Sequence, residues 1–106
     1  MSMNNEEFKM TKEATGNSVR FWAKGRITTT TARDFGEELE KALRTGKIFI
    51  TLNMREVTLL TSNGIRIIIK TYKEATEAGG KFRIIAPSES IKNVLGLPAL
   101  EQMLVV

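Results

Sequence analysis

The chain has 106 residues, of which 42% are hydrophobic, so it can bury one modest core and is expected to form a single domain over residues 1–106. It contains neither cysteine nor histidine. That absence excludes a Ser-His-Asp triad, a Cys-His dyad and a zinc site built on thiolates or imidazoles. We therefore expect no enzymatic activity, no catalytic residue, no cofactor and no metal site.

The formal net charge of +4 suggests a nucleic-acid partner, but the lysine and arginine residues are scattered along the chain and form no basic run. We therefore expect no direct contact with nucleic acid. Residues 1–7 lack the basic start and apolar run of a signal peptide, and no later segment is long enough to cross a bilayer. These features predict a cytoplasmic protein that is not embedded in a membrane.

The first predicted element is a β-hairpin. Apolar and polar residues alternate over residues 8–12 and again over residues 19–23, and Thr15, Gly16 and Asn17 between them are typical of a turn. The same alternation places Trp22 on the outer face of the hairpin.

A helix is predicted next, because apolar residues recur at helical spacing between residues 32 and 43. Thr30 or Thr31 can serve as its N-cap, and Gly46 is placed to end it. Gly36 lies inside this helix, where a glycine costs about 1 kcal/mol relative to alanine. We interpret Gly36 as a point where the helix closely approaches the sheet.

The middle of the chain predicts a strand followed by a second helix. Residues 47–52 form a short apolar run rich in β-branched residues, which is typical of a strand covered on both faces. A nine-residue connection, 53–61, leads to a helix over residues 62–78 that Gly79 and Gly80 end. Ser62 stands where an N-cap would be, and Asn53 is suited to an Asx-type turn.

The remaining residues predict a strand at 81–85, a helix at 88–95 ended by Gly96, and a last strand at 102–106. A strand-helix-strand order that occurs twice implies parallel crossovers. The expected fold is therefore α/β, with a mixed β-sheet edged by the N-terminal hairpin and helices packed on the sheet.

The segment Thr61-Ser62-Asn63-Gly64 follows a strand and a loop that contains Val57 and Thr58, and it opens a helix. This arrangement resembles the bacterial STAS domains typified by anti-sigma factor antagonists, whose hallmark at this place is Asp-Ser-Ser/Ala-Gly. The resemblance spans nearly the whole chain and continues through Tyr72-Lys73, Gly79-Gly80, residues 81–86, Pro87-Ser88 and Val94-Leu95. The sequence departs from the family at two positions that are commonly acidic, Thr28 and Thr61.

The resemblance implies a protein-binding regulator that sequesters an anti-sigma factor, which is also a serine kinase, until phosphorylation at Ser62 switches the regulator off. Thr61 is a less favoured acceptor, and a phosphatase is a further expected partner. The alternative that the family offers is a small cytoplasmic subunit of a membrane transport complex. By position, the expected partner-binding residues are Thr28, Thr29, Thr61, Ser62, Asn63, Gly64, Arg66 and Ile67.

Without the resemblance, Ser62 is an ordinary N-cap that contributes about 1 kcal/mol to the helix. Thr28, Thr29, Thr30 and Thr31 would then only cap the first helix and cover a loop. Ile67 lies off the apolar stripe of its helix, so it either faces a partner or shows that the helix is packed on two sides.

Overall fold

The structure, a computed structural model, describes residues 8–96, residue 100 and residues 103–105. These residues form a five-stranded sheet in the order β1-β2-β3-β4-β5 with three helices. The elements are β1 (Lys9–Thr15), β2 (Ser18–Ile27), α1 (Ala32–Arg44), β3 (Phe49–Leu60), α2 (Ser62–Glu77), β4 (Lys81–Ile85), α3 (Lys92–Leu95) and β5 (Leu104–Val105).

The sheet is mixed, as the sequence predicts. Strands β1 and β2 form an antiparallel hairpin, whereas β2 with β3, β3 with β4 and β4 with β5 are parallel. The α/β class and the hairpin edge are therefore confirmed. Among the described residues, no helix is long and apolar enough to span a membrane.

The core lies on one face of the sheet. Along β2, buried and exposed residues alternate without interruption, and the buried set joins apolar side chains of α1 and α2 in one cluster. Strand β3 follows the same rule, because Ile50, Leu52 and Met54 are buried while Phe49 is exposed. The prediction that residues 47–52 are covered on both faces is therefore wrong, since the side chains opposite the helices remain largely accessible.

Strand β3 is also longer than predicted, because residues 53–60 continue the strand and do not form a connection. The 12 residues of β3 run beside the 10 residues of β2, and two register shifts, after Trp22 and after Gly25, take up the difference. At the first shift the Asn53 side chain accepts a hydrogen bond from the Arg55 N–H at 2.9 Å, which confirms the Asx-type interaction. Parallel pairing with β2 thus extends a segment whose own sequence resembles a loop.

The N-cap of helix α2 lies one residue earlier than predicted. Thr61 occupies the N-cap with an extended backbone (φ −86°, ψ 173°), and Ser62 is the first helical residue. The expectation that Ser62 is the N-cap is therefore wrong by one position. The shift moves the Ser62 hydroxyl from a capping role to the outside of the first turn.

Helices α1 and α2 meet at Gly36. A Cβ atom on Gly36 would lie 3.1 Å from the Cδ1 atom of Ile67, so this glycine marks a contact between two helices and not, as predicted, between a helix and the sheet. Ile67 is half-buried against the core at this contact. Helix α2 is therefore packed on two sides, which explains the position of Ile67 off the main apolar stripe.

The C-terminal part differs in length from the prediction. Helix α3 covers only Lys92–Leu95, and residues 88–91 form a turn in which the Ile91 N–H donates to the Ser88 carbonyl at 3.2 Å. The described part of the last predicted strand, Leu104–Val105, pairs with β4 in parallel. Residues 102 and 106 of that strand, and the N-terminal segment 1–7, lie outside the described residues.

Candidate functional site

The candidate site forms where β2 and β3 end side by side. Ile27 and Leu60 are the last residues of the two strands and are register partners. The Thr61 N–H donates to the Ile27 carbonyl at 3.1 Å, and the Thr61 hydroxyl donates to the same oxygen at 3.0 Å. Because parallel strands end at one edge of the sheet, the segments that follow them, 28–33 and 61–67, become neighbours.

The first of these segments is fixed by two threonines. The Thr28 N–H donates to the Thr31 hydroxyl at 2.8 Å, and the Thr31 N–H donates to the Thr28 hydroxyl at 3.2 Å. The Thr31 hydroxyl donates in turn to the Arg26 carbonyl at 2.6 Å. This reciprocal pattern satisfies N–H groups at the entry to α1, as a capping box does. Thr31 occupies the N-cap of α1, as predicted, but its own hydroxyl makes no capping hydrogen bond to the helix. The Thr28 hydroxyl accepts the Thr31 N–H instead, while Thr29 and Thr30 are exposed.

The two candidate phosphate acceptors differ in accessibility. Ser62 is exposed at the first residue of α2. Thr61 is half-buried, and its hydroxyl is held by the Ile27 carbonyl. A kinase needs a free hydroxyl, so the geometry favours Ser62 over Thr61 as an acceptor.

Gly64 lies beneath the surface and not on it. A Cβ atom at this position would come within 2.6 Å of the Leu60 Cδ1 atom and 2.8 Å of the Ile27 Cγ2 atom. The glycine therefore lets the first turn of α2 rest on the two strand ends. This residue was expected to contact a partner, but its position gives it a packing role that orients Ser62 and Asn63.

A shallow depression of about 260 Å³ lies between the starts of α1 and α2. It is lined by Thr29, Ala32, Arg33, Asn63, Arg66 and Ile67. Four of these residues were predicted to bind a partner, and the structure brings them together from two segments, 29–33 and 63–67, that are far apart in the sequence. We call Ser62 and the residues that line this depression the α1–α2 surface.

Arg33 belongs to the α1–α2 surface but was missed by the sequence analysis. The only available signal was its place in the first turn of α1, two residues after the last of the four threonines. Helical periodicity marks Arg33 as exposed, and only the packing of α1 beside α2 shows that it lies near Asn63 and Arg66. Thr28 and Thr61, in contrast, support the surface from below through the hydrogen bonds of their hydroxyls.

The α1–α2 surface is electropositive. No ion pair among the described residues involves Arg33 or Arg66. The first turn of α2 also contains no acidic residue, so the partial positive charge of the helix N-terminus is not compensated locally. The surface is therefore suited to accept negative charge, either from a partner or from a phosphate on Ser62.

Within the described part of the chain, no group of three or more acidic side chains is arranged to hold a metal ion. The functional atoms at the surface are a free hydroxyl, an amide and two guanidinium groups. Such a set can bind anions and donate hydrogen bonds, and it can receive a phosphoryl group.

The sequence profile of the STAS domain family matches residues 9–104. The chain therefore belongs to the STAS domain family, as the resemblance implied. A search of curated protein sequences found no match.

Solved structures share the fold. The anti-sigma factor antagonist SpoIIAA in its unphosphorylated form superposes with a TM-score of 0.80 at 15% identity, over 92% of this chain and 86% of that chain. SpoIIAA of Bacillus in its phosphorylated form gives a TM-score of 0.76 at 16% identity, over 92% and 89% of the two chains. An anti-sigma factor antagonist from Mycobacterium paratuberculosis gives 0.80 at 17% identity, over 94% and 85%. At these identities the likeness establishes the fold, and function must be argued from the site.

Proposed function

We propose that this protein is an anti-sigma factor antagonist that binds an anti-sigma factor through the α1–α2 surface and is switched off by phosphorylation of Ser62. The observation that carries the proposal is the exposed Ser62 hydroxyl at the first residue of α2, beside the depression lined by the expected partner-binding residues. Binding of the anti-sigma factor releases a sigma factor. The protein acts by binding and performs no catalysis of its own.

The fold is built to tolerate a phosphate at Ser62. The first N–H groups of a helix have no partner within the helix, and they favour a nearby anion together with the macrodipole. Arg66 follows Ser62 by four residues on the same side of α2, so its guanidinium group can pair with the phosphate. The existence of SpoIIAA structures in both forms, each superposing on this chain, supports a fold that persists through the modification.

The partner complex, in contrast, does not tolerate the phosphate. A phosphoserine carries a charge of about −1.5 to −2 at neutral pH. In the unmodified protein, Arg33 and Arg66 present positive charge to the partner, and the phosphate would neutralise that charge and add bulk at the centre of the contact. The complex therefore loses its electrostatic complementarity and must desolvate a dianion.

The other expected partners follow from the same site. The anti-sigma factor is proposed to be the kinase that modifies Ser62, and a phosphatase is proposed to restore the free hydroxyl. Thr61 replaces the acidic residue common in the family, and its hydroxyl is already bound to the Ile27 carbonyl. The kinase must therefore recognise Ser62 without a neighbouring carboxylate, and the adjacent Asn63 amide and Arg66 guanidinium are the polar groups it would meet.

The proposal is tested by affinity capture from the native lysate with three baits: the wild-type protein, Ser62→Asp and Ser18→Asp. Ser18 is an exposed serine at the start of β2, at the end of the strand opposite the α1–α2 surface. Ser18→Asp is therefore a matched control for the added charge. Recovery of an anti-sigma factor with a kinase domain by wild type and Ser18→Asp, and its loss with Ser62→Asp, is the expected result. Capture of the ATPase of a membrane transport complex by all three baits would overturn the proposal in favour of the transport subunit.

A further inference from the structure

The second surface of interest is the sheet face opposite α1 and α2. Strand alternation places on it Arg20, Trp22 and Lys24 of β2, Phe49 of β3, and Lys81 and Arg83 of β4, all of them exposed. We call these six side chains the open face. They include four cations, although the sequence separates them by up to 63 positions, and Lys9 of β1 adds a fifth cation to the same side of the sheet. Two exposed acids also lie on this side, Glu13 as the register partner of Arg20 and Glu56 as that of Lys24, so the balance of charge there stays positive.

The cations of the open face stand in rows across the sheet. Arg20 and Arg83 are both register partners of Thr51, so the three residues form one row, with the two arginines two strand spacings, about 10 Å, apart. Phe49 and Lys81 are partners in the neighbouring row. Lys24 is paired with Glu56 at 3.7 Å, whereas no ion pair in the described residues involves Arg20, Lys81 or Arg83.

Two aromatic rings lie among these cations. Trp22 is 37% exposed and Phe49 is 39% exposed, and both stand on adjacent strands near the middle of the sheet. Each ring borders a depression, one of about 470 Å³ beside Trp22 and one of about 320 Å³ beside Phe49. The Arg20 guanidinium lies 5.9 Å from the centre of the Trp22 ring and lines the depression beside Phe49, so it connects the two aromatic positions.

We propose that the open face binds single-stranded nucleic acid, with bases stacked on Trp22 and Phe49 and phosphates contacted by Arg20, Lys81 and Arg83. Exposed aromatic rings on a β-sheet provide stacking platforms, and a basic surface around them tracks the sugar-phosphate backbone. Trp22 is opposite Asn53, four residues along β3 from Phe49, so the rings are about 13 Å apart along the strands. That separation suits two different bases of one strand.

The chemistry of the open face favours this occupant over others. The bases of a duplex are already stacked on each other, and a broad sheet face does not enter a groove as a helix does. An acidic protein could also use the cations, but single-stranded nucleic acid combines a phosphate and a planar base in every repeating unit. The inference departs from the expectation drawn from scattered basic residues, because strand pairing gathers on one face residues that are dispersed in the sequence.

The open face and the α1–α2 surface are independent. Ser62, Arg33 and Arg66 lie at the helices, whereas the open face lies on the other side of the sheet. A substitution on one surface therefore leaves the other intact. The failure of one proposal can accordingly be distinguished from the failure of the other.

The test uses Trp22 as its own reporter, because it is the single tryptophan of the chain. The full-length protein is titrated with oligo(dT) and oligo(U) of about ten nucleotides while tryptophan fluorescence is recorded. We expect quenching of Trp22 and an affinity that falls about 20-fold between about 50 and 200 mM salt, as three phosphate contacts predict. Absence of quenching and of binding at about 50 mM salt would overturn the proposal.

Substitutions at Phe49 and at Arg83 distinguish the contribution of base stacking to the affinity from that of charge. Phe49→Ala should weaken binding by about 5-fold or more, because one stacking platform is lost, and Phe49→Leu, which keeps an apolar side chain, controls for folding. Arg83→Ser should weaken binding and lower the salt slope by about 0.7. Lys41→Ser removes the same charge from the exposed side of α1 and should leave the affinity unchanged. An equal effect of Lys41→Ser and Arg83→Ser would contradict a specific open face.

Two competitors identify the occupant. Poly-glutamate and vesicles containing phosphatidylserine are titrated under the same conditions. Weaker binding of both, without quenching of Trp22, is the expected result. If either binds more tightly than the oligonucleotides and quenches Trp22, the open face serves an acidic protein or a membrane surface, and the nucleic-acid proposal fails.

Discussion

The α1–α2 surface is assembled at the ends of β2 and β3 from two short segments, 28–33 and 61–67, whereas the open face takes its side chains from within three strands. In the first, a local motif sits at the start of a helix, so the chemistry is concentrated in a few consecutive residues. In the second, no two of the six residues are neighbours in the sequence. The comparison shows that one small sheet can carry two kinds of surface. One consists of a local sequence motif, and the other is formed only when strand register brings distant residues together.

The largest expected effect belongs to Ser62→Asp. It should weaken binding to the anti-sigma factor by about 100-fold or more, because the carboxylate would neutralise the positive charge that Arg33 and Arg66 present to the partner and would have to be desolvated in the contact. Affinity for oligo(dT) should stay unchanged, since Ser62 is not on the open face. Isothermal titration against the captured partner and fluorescence titration with oligo(dT) check both statements, and a parallel loss of both affinities would show that the two surfaces are not separate.

Gly64→Ala adds one methyl group directly beneath the α1–α2 surface, and we expect it to destabilise the protein more than any other such addition there. Its Cβ would collide with Ile27, which is fully buried, so overpacking should lower the free energy of unfolding by about 2 kcal/mol despite the better helix propensity of alanine. Urea unfolding measures this change. Gly36→Ala is the matched control, because its Cβ meets only the movable end of Ile67 at 3.1 Å and should change stability by less than about 1 kcal/mol. Equal losses for the two glycines would show that Gly64 has no special place at the strand ends.

Thr28→Ala should cost about 1 kcal/mol of stability, because it breaks the reciprocal hydrogen bonds with Thr31 at the entry to α1. Thr29→Ala, at the exposed neighbour, should change stability by less than about 0.5 kcal/mol. Urea unfolding of both variants measures the difference. If Thr29→Ala is instead the more damaging of the two, the threonine loop is held by contacts other than these.

The smallest expected effect on stability is that of Arg83→Ser. The side chain is exposed, so the free energy of unfolding should change by less than about 0.5 kcal/mol. Capture of the anti-sigma factor should match that of wild type, while affinity for oligo(dT) falls. Thermal unfolding and the capture assay measure the two quantities, and a loss of anti-sigma factor capture would place the open face within the partner interface.

Much of the fold could be predicted because its signals are local. The hairpin, α1, α2 and β4 each have a periodic apolar pattern and a turn or glycine at their ends, and all four are confirmed. Residues 53–60 could not be assigned in the same way. Their extended form depends on pairing with β2 through two register shifts, and such pairing leaves no periodic signal within the segment.

The same distinction between local signals and tertiary contacts applies to the candidate site. The segment Thr61 to Gly64 was recognisable as a motif, but whether each member is exposed, engaged or buried was not. In the structure Ser62 is exposed, the Thr61 hydroxyl is hydrogen-bonded and Gly64 is buried. These differences arise because β2 ends beside β3, which places Ile27 next to both Thr61 and Gly64. Arg33 joins the surface for a similar reason, since the packing of α1 against α2, which includes the contact of Gly36 with Ile67, brings it beside Asn63 and Arg66.

The sequence by itself determined the α/β class, the membership in the STAS domain family and the segment that carries Ser62, because periodicity, caps and motifs act over a few residues. The tertiary structure alone decided which side chains of different strands share the open face, which hydroxyl is free and where the basic residues gather. Those properties depend on strand register and helix packing between residues far apart in the chain. The alternation along β2 already placed Trp22 on the outer face, but only strand register shows which residues of β3 and β4 stand beside it.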